Sequence, residues 1–113
     1  MKYFMFFLLL SVSSVANATN LYCAGKIKNV YIDQEGSVNI KGEWHNSWTR
    51  ICNTKGEDTV TCSLWASYAA TAVKNNLNVT VHYQVEDGST CASLPTYYKA
   101  PKPHYFMIHN PGL

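Results

Sequence analysis

The stretch Cys62–Gln84, CSLWASYAATAVKNNLNVTVHYQ, carries two hydrophobic periods in succession. In its first half Leu64, Trp65, Tyr68, Ala69, Ala72 and Val73 recur at the spacing of one helix face, which predicts a helix over Cys62 to Asn75. Thr61 or Ser63 is placed to cap its start. Lys74 suits the negative end of the helix dipole, and Asn75-Asn76 can stop the helix. From Leu77 the pattern alternates: Leu77, Val79, Val81 and Tyr83 on one side, Asn78, Thr80, His82 and Gln84 on the other. That is a half-buried strand. A single helix feeding directly into a strand limits what the flanks can build.

Upstream, Lys26 to Ile32 reads as a strand and Ser37 to His45 as a second, with Val38, Ile40, Gly42 and Trp44 on its inner face. A loop of Gln34 to Gly36 would place Gly36 in the left-handed conformation that such hairpins need. The register then pairs Ile32 with Val38 and Val30 with Ile40, and leaves Ile27 outward unless a bulge restores it. Asn46-Ser47 predicts the next tight turn. It sets His45 against Trp48 and Glu43 against Arg50 on the outer face, with Ile51 inside. Asn53 to Thr59 is a polar loop, and Glu86 to Ser89 a turn. Pro95, Pro101 and Pro103 mark residues 92–104 as a loop or sheet edge, before a last short strand over Tyr105 to His109.

The resulting order, β-β-β-α-β-β, is that of a five-stranded OB-like barrel, in which a helix joins the third and fourth strands. The fold class is therefore mainly β with one helix and two disulfides; a small α+β sandwich is the alternative. If the first and fourth strands pair antiparallel, Cys23 lies near Cys91, and Cys52 and Cys62 clip the third strand to the helix start. The pairs Cys23–Cys91 and Cys52–Cys62 follow from that topology, out of three connectivities that four cysteines allow.

The chain has 113 residues and net charge +2, enough for one domain and without the basic excess of a nucleic-acid binder. Lys2, the apolar run Tyr3 to Leu10 and the small-x-small Ala16-Asn17-Ala18 read as a secretory signal peptide over residues 1–18. The apolar run is too short to span a bilayer. Residues 19–113 then form a single disulfide-stapled domain that is secreted or periplasmic, with no membrane span after signal removal. An even cysteine count suits that oxidising address, and the spacings 29, 10 and 29 match no zinc knuckle.

Ile51-Cys52-Asn53, Thr61-Cys62-Ser63-x-Trp65 and Asn78-Val79-Thr80-Val81-His82-Tyr83 resemble the central portion of subtilase-cytotoxin-type B subunits. Leu94-Pro95-Thr96-Tyr97 with Ala100-Pro101-x-Pro103-x-Tyr105 is similar to small uncharacterised exported proteins of marine gammaproteobacteria. The first resemblance implies a sugar-binding OB-fold homopentamer that recognises sialylated glycans and carries a separate catalytic subunit. The family's sugar-contacting serine falls in a part that does not align, so no binding residue carries over. The second resemblance spans most of residues 19–113 and implies no activity.

Catalytic motifs are missing from the sequence: there is no nucleophile elbow, no His-Glu-x-x-His and no phosphate-binding glycine loop. Oxidised cysteines leave no thiol nucleophile. His45 and His82 lie on polar strand faces as isolated surface histidines, and His104 and His109 fall on opposite faces of their strand. The reading is a non-enzymatic module for a glycan or a protein partner, with no cofactor, no metal and no nucleic acid. Trp48 beside His45, Arg50 and Glu43 is its expected ligand platform. A small periplasmic inhibitor or accessory protein of another enzyme is the runner-up. A small hydrolase using His82 or His104 comes third.

Overall fold

The computed structural model describes residues 18–56 and 58–111, so the signal-peptide segment, apart from Ala18, lies outside the described residues. Five antiparallel strands form one curled half-barrel sheet: β1 (Ala18–Ile32), β2 (Ser37–Gly42), β3 (Thr49–Asn53), β4 (Asn78–Glu86) and β5 (Tyr105–Ile108), in the order β3-β2-β1-β4-β5. Helix α1 (Thr59–Asn75) joins β3 to β4, giving the β-β-β-α-β-β order. The core between helix and sheet is built from Cys23, Ile27, Val38, Ile40, Ile51, Trp65, Ala69, Ala72, Val79, Val81, Tyr83 and Phe106.

β1 is longer than its sequence suggests, because it serves two neighbours in turn. Ala18 to Lys26 pairs with β4, and Ile27 to Ile32 pairs with β2. Gly25 at φ 140°, which a side chain would strain, and a bulge between Ile27 and Asn29 mark the change of partner. That bulge turns Ile27 into the core. The register Ile32 to Val38 and Val30 to Ile40 is as expected, and Gly36 takes φ 89°. Ile32, however, is exposed, although its cross-strand partner Val38 is fully buried.

The helix starts earlier than expected, at Thr59, and Asp58 stands at its N-cap in place of Thr61 or Ser63. It buries Cys62, Trp65, Ala69 and Ala72, whereas Leu64 and Tyr68 face outward. One narrow stripe is enough to cover a sheet this small. Asn76 ends the helix in the left-handed conformation, its N–H reaching the Ala72 and Val73 carbonyls.

The second hairpin departs from its predicted register. β2 ends at Gly42, and residues 43–48 make a wider loop in place of a two-residue turn. The Trp44 ring folds back over Gly42, where an added Cβ would meet ring atoms at 2.5–2.6 Å. Gly42→Ala is therefore expected to destabilise by about 1–3 kcal/mol, as overpacking does; urea denaturation measures it. Opposite β2, Arg50 pairs with Asn39 and Thr49 with Ile40. The expected pairs Glu43–Arg50 and His45–Trp48 do not form.

After β4 the chain divides its last stretch between two edges. Tyr97 bridges Thr49 in parallel at the free side of β3, with Tyr97 N–H donating to Trp48 O (2.8 Å) and Arg50 N–H to Tyr97 O (3.1 Å). Lys102 then pairs with Asp58 at the start of α1, and Tyr105–Ile108 joins β4. The prolines allow this strap to run without demanding ladder hydrogen bonds of its own. Both expected disulfides, Cys23–Cys91 and Cys52–Cys62, are formed. No helix among the described residues is long and apolar enough to cross a membrane.

Candidate functional site

On the outer side of the sheet, one cross-strand row runs Tyr31–Asn39–Arg50 over β1, β2 and β3. Ser37, two residues from Asn39, shares its face, and the register shift between Val38 and Asn39 sets Asn53 opposite Ser37 on the same surface. An outer face of this kind is usually solvated, yet Ser37 is 8% and Asn39 3% exposed. Their neighbours close over them: the β1–β2 turn brings Asp33 and Glu35 from one side, and the strap brings Tyr97 and Tyr98 from the other. The result is a cleft of about 510 Å3 lined by Tyr31, Asp33, Glu35, Ser37, Asn39, Arg50, Asn53, Tyr97 and Tyr98.

Local hydrogen bonds hold its floor. The Ser37 hydroxyl accepts from Arg50 Nη1 (3.4 Å) and Asn53 Nδ2 (3.3 Å), and Ser37 N–H donates to Asp33 Oδ1 (3.0 Å). Tyr97 takes φ 54°, a left-handed conformation that a bulky residue seldom adopts. The two backbone bonds to Trp48 and Arg50 hold it there, and such retained strain concentrates at binding sites. The Tyr31 hydroxyl is pushed above its ordinary value, first by desolvation and then by Tyr97 and Asp33. Tyr98, at 68% exposed, offers the most open ring. The cleft thus sets aromatic faces beside amides, two carboxylates and one guanidinium. Tyrosine faces pack against apolar C–H surfaces, while the polar groups bond hydroxyls in fixed directions.

Of the four platform residues expected from sequence, Arg50 alone lines this cleft. Trp48 is half-buried and meets Tyr31 edge-on, with centroids 4.7 Å apart. It buttresses the cleft wall. His45 is buried: its Nε2 bonds Leu94 O (2.7 Å), and its Nδ1 accepts from Ser47 N–H (2.9 Å). Glu43 Oε1 accepts from Lys26 N–H (3.0 Å) and clamps the bend of β1. The wider loop after Gly42 is the cause, since it carries Glu43 and His45 away from Arg50. Sequence reading missed Tyr31, Asn39, Asn53 and the two turn carboxylates. The three-residue turn at Gly36 was the available signal, because it fixes which β2 side chains share a face with Tyr31.

His82 is not the isolated surface histidine of the sequence reading. It is sandwiched between Tyr22 (centroids 4.8 Å) and Tyr105 (4.9 Å), meets His104 edge-on (5.3 Å), and its Nε2 pairs with Asn20 Oδ1 (3.0 Å). No hydroxyl nucleophile or carboxylate is hydrogen-bonded to its ring among the described residues. No cluster of three or more metal-ligating side chains occurs among them either.

Comparison of the chain with family models, with curated proteins and with solved structures gave no match.

Proposed function

We propose that this chain is an exported, non-enzymatic binding module of OB-like architecture, and that its cleft takes a short glycan. The observation that carries the reading is the Tyr31–Asn39–Arg50 row roofed by Tyr97 and Tyr98. It lies on the β2–β3 face between the β1–β2 turn and the segment joining β4 to β5, where OB barrels bind oligosaccharides and oligonucleotides. Asp33 and Glu35 in the wall disfavour a phosphate backbone, and net charge +2 gives no electrostatic footprint for one. A concave cleft with several directional polar groups suits a polyhydroxylated ligand better than a flat protein surface. Two disulfides and the leader-like N-terminal sequence support export.

The test is a glycan array probed with the disulfide-bonded protein recovered from the periplasm of an expression host. The wild type is expected to retain a defined glycan class. Tyr98→Ala and Arg50→Gln should each weaken retention about tenfold or more. Glu43→Gln should leave it unchanged. Absence of any glycan signal, or variants that bind like wild type, would contradict the reading.

A further inference from the structure

We infer that the cleft runs on past Arg50 and Asn53 into a second sugar subsite, so that its ligand is a linear, uncharged oligosaccharide reaching from the tyrosines to Lys102. The inference rests on the glycan reading of the cleft and names the form of glycan it takes. Beyond Arg50 lies a second cavity of about 280 Å3, walled by Cys52, Asp58, Ala100 and Lys102. Arg50 and Asn53 line both this cavity and the cleft of about 510 Å3. Their side chains therefore form a saddle between the two hollows. Alone, the second cavity falls just under the roughly 300 Å3 at which ligand sites begin. Its size suits an extension of the cleft better than a separate site.

The strap creates the second cavity. Tyr97 is held beside β3 by its bonds to Trp48 and Arg50, and past it the strap makes no further backbone hydrogen bond to β3 among the described residues. Ala100 N–H donates back to Tyr97 O (3.2 Å), and Lys102 is tied to Asp58 at the start of α1. Between these two ties the cavity separates the strap from β3.

The chemistry along this path is that of hydroxyl recognition. Arg50 Nη1 and Asn53 Nδ2 each donate to the Ser37 hydroxyl from the cleft side. A guanidinium and an amide carry more N–H donors than that one bond uses. At the far end the Lys102 ammonium and Asp58 carboxylate are 56% and 55% exposed, a donor set beside an acceptor at the rim. Sugar hydroxyls both donate and accept, so two neighbouring hydroxyls match such a pair. The pair balances its own charge, which favours an uncharged sugar unit over an ionised one.

Printed length series of cello-, malto-, manno-, xylo- and chito-oligosaccharides, from single sugars to hexamers, test this with the disulfide-bonded periplasmic protein. In the series that the wild type retains, binding is expected to strengthen about tenfold or more at the length that first reaches the second cavity, and to level off beyond it. Gly56→Leu puts bulk into that cavity without crowding the backbone, because an added Cβ there meets nothing nearer than Asn53 O at 3.4 Å. Lys102→Ala removes the donor at the far rim, from an exposed pair of the kind that adds little stability. Both variants should flatten the series, with far-UV circular dichroism unchanged. If Gly56→Leu unfolds, Lys102→Ala decides the question. Wild-type retention independent of length, or folded variants that keep the wild-type length dependence, would overturn the inference and leave the glycan reading standing. Retention of none of these series would overturn it too, and the wider array then shows whether the glycan reading falls with it.

Discussion

Replacing Cys23 and Cys91 together by alanine is expected to cost about 4 kcal/mol of unfolding free energy, the loop-closure value for a 68-residue separation. β1 and β4 already pair along Ala18 to Lys26, so the bond adds little order to the native state. Its main effect falls on the unfolded chain, where it holds the start of β1 near the segment that follows β4. The Cys52–Cys62 bond spans 10 residues and closes a much shorter loop, from β3 to the first turns of α1. Its removal is expected to cost about 3 kcal/mol. Typical domains have about 5–15 kcal/mol in all, so losing the longer bond should leave a marginal fold. Urea denaturation of the two double variants gives the comparison. Equal costs, or a larger cost for the shorter loop, would contradict it.

Stability is also expected to collapse in alkali through Tyr83. This side chain sits in the core at 0% exposed, its hydroxyl without a hydrogen bond of normal geometry. Burial pushes the hydroxyl from its ordinary 10.0 up to about 12, with the Thr49 side chain offsetting part of the rise. A raised value means that the folded state favours the neutral phenol. The contribution is fully present below pH 10, where both states are protonated. It is lost as pH rises through about 12, because the unfolded chain ionises first. The gap between the two values corresponds to roughly 3 kcal/mol. Tyr83→Phe should remove this loss, moving the alkaline unfolding midpoint upward. At neutral pH it should be neutral or stabilising by about 1 kcal/mol, since an unsatisfied buried hydroxyl goes with it. An unchanged alkaline midpoint would place the titrating group elsewhere.

The sequence made the sheet's connectivity legible because its periods are clean where strands have one buried face. Val79, Val81 and Tyr83 alternate strictly and are all fully buried, and the β1–β2 register followed from Gly36 alone. The disulfide pairing then came from topology. Legibility failed where two neighbours share one strand, as in the long β1, or where a large side chain competes for space. Trp44 belonged to the alternation of β2, yet its ring needs the space over Gly42, and the strand ends there. That local event displaced Glu43 and His45 and dissolved the expected platform. The cleft itself was hidden for a different reason. Its roof comes from Tyr97 and Tyr98, whose place against β3 depends on a positive-φ residue and two long-range backbone bonds that no local pattern encodes. Arg50 alone was legible as a site residue, because a charged side chain flanked by Thr49 and Ile51 in a strand has to point outward.

The most direct measurement is amide chemical-shift mapping of the oxidised protein titrated with whichever glycan the array retains. The account predicts saturable shifts at Tyr31, Asp33, Asn39, Arg50, Tyr97 and Tyr98, with β5 and the Tyr22–His82–Tyr105 row unmoved. Shifts centred on that row, or none at saturating glycan, would contradict the assignment of the cleft as the binding site.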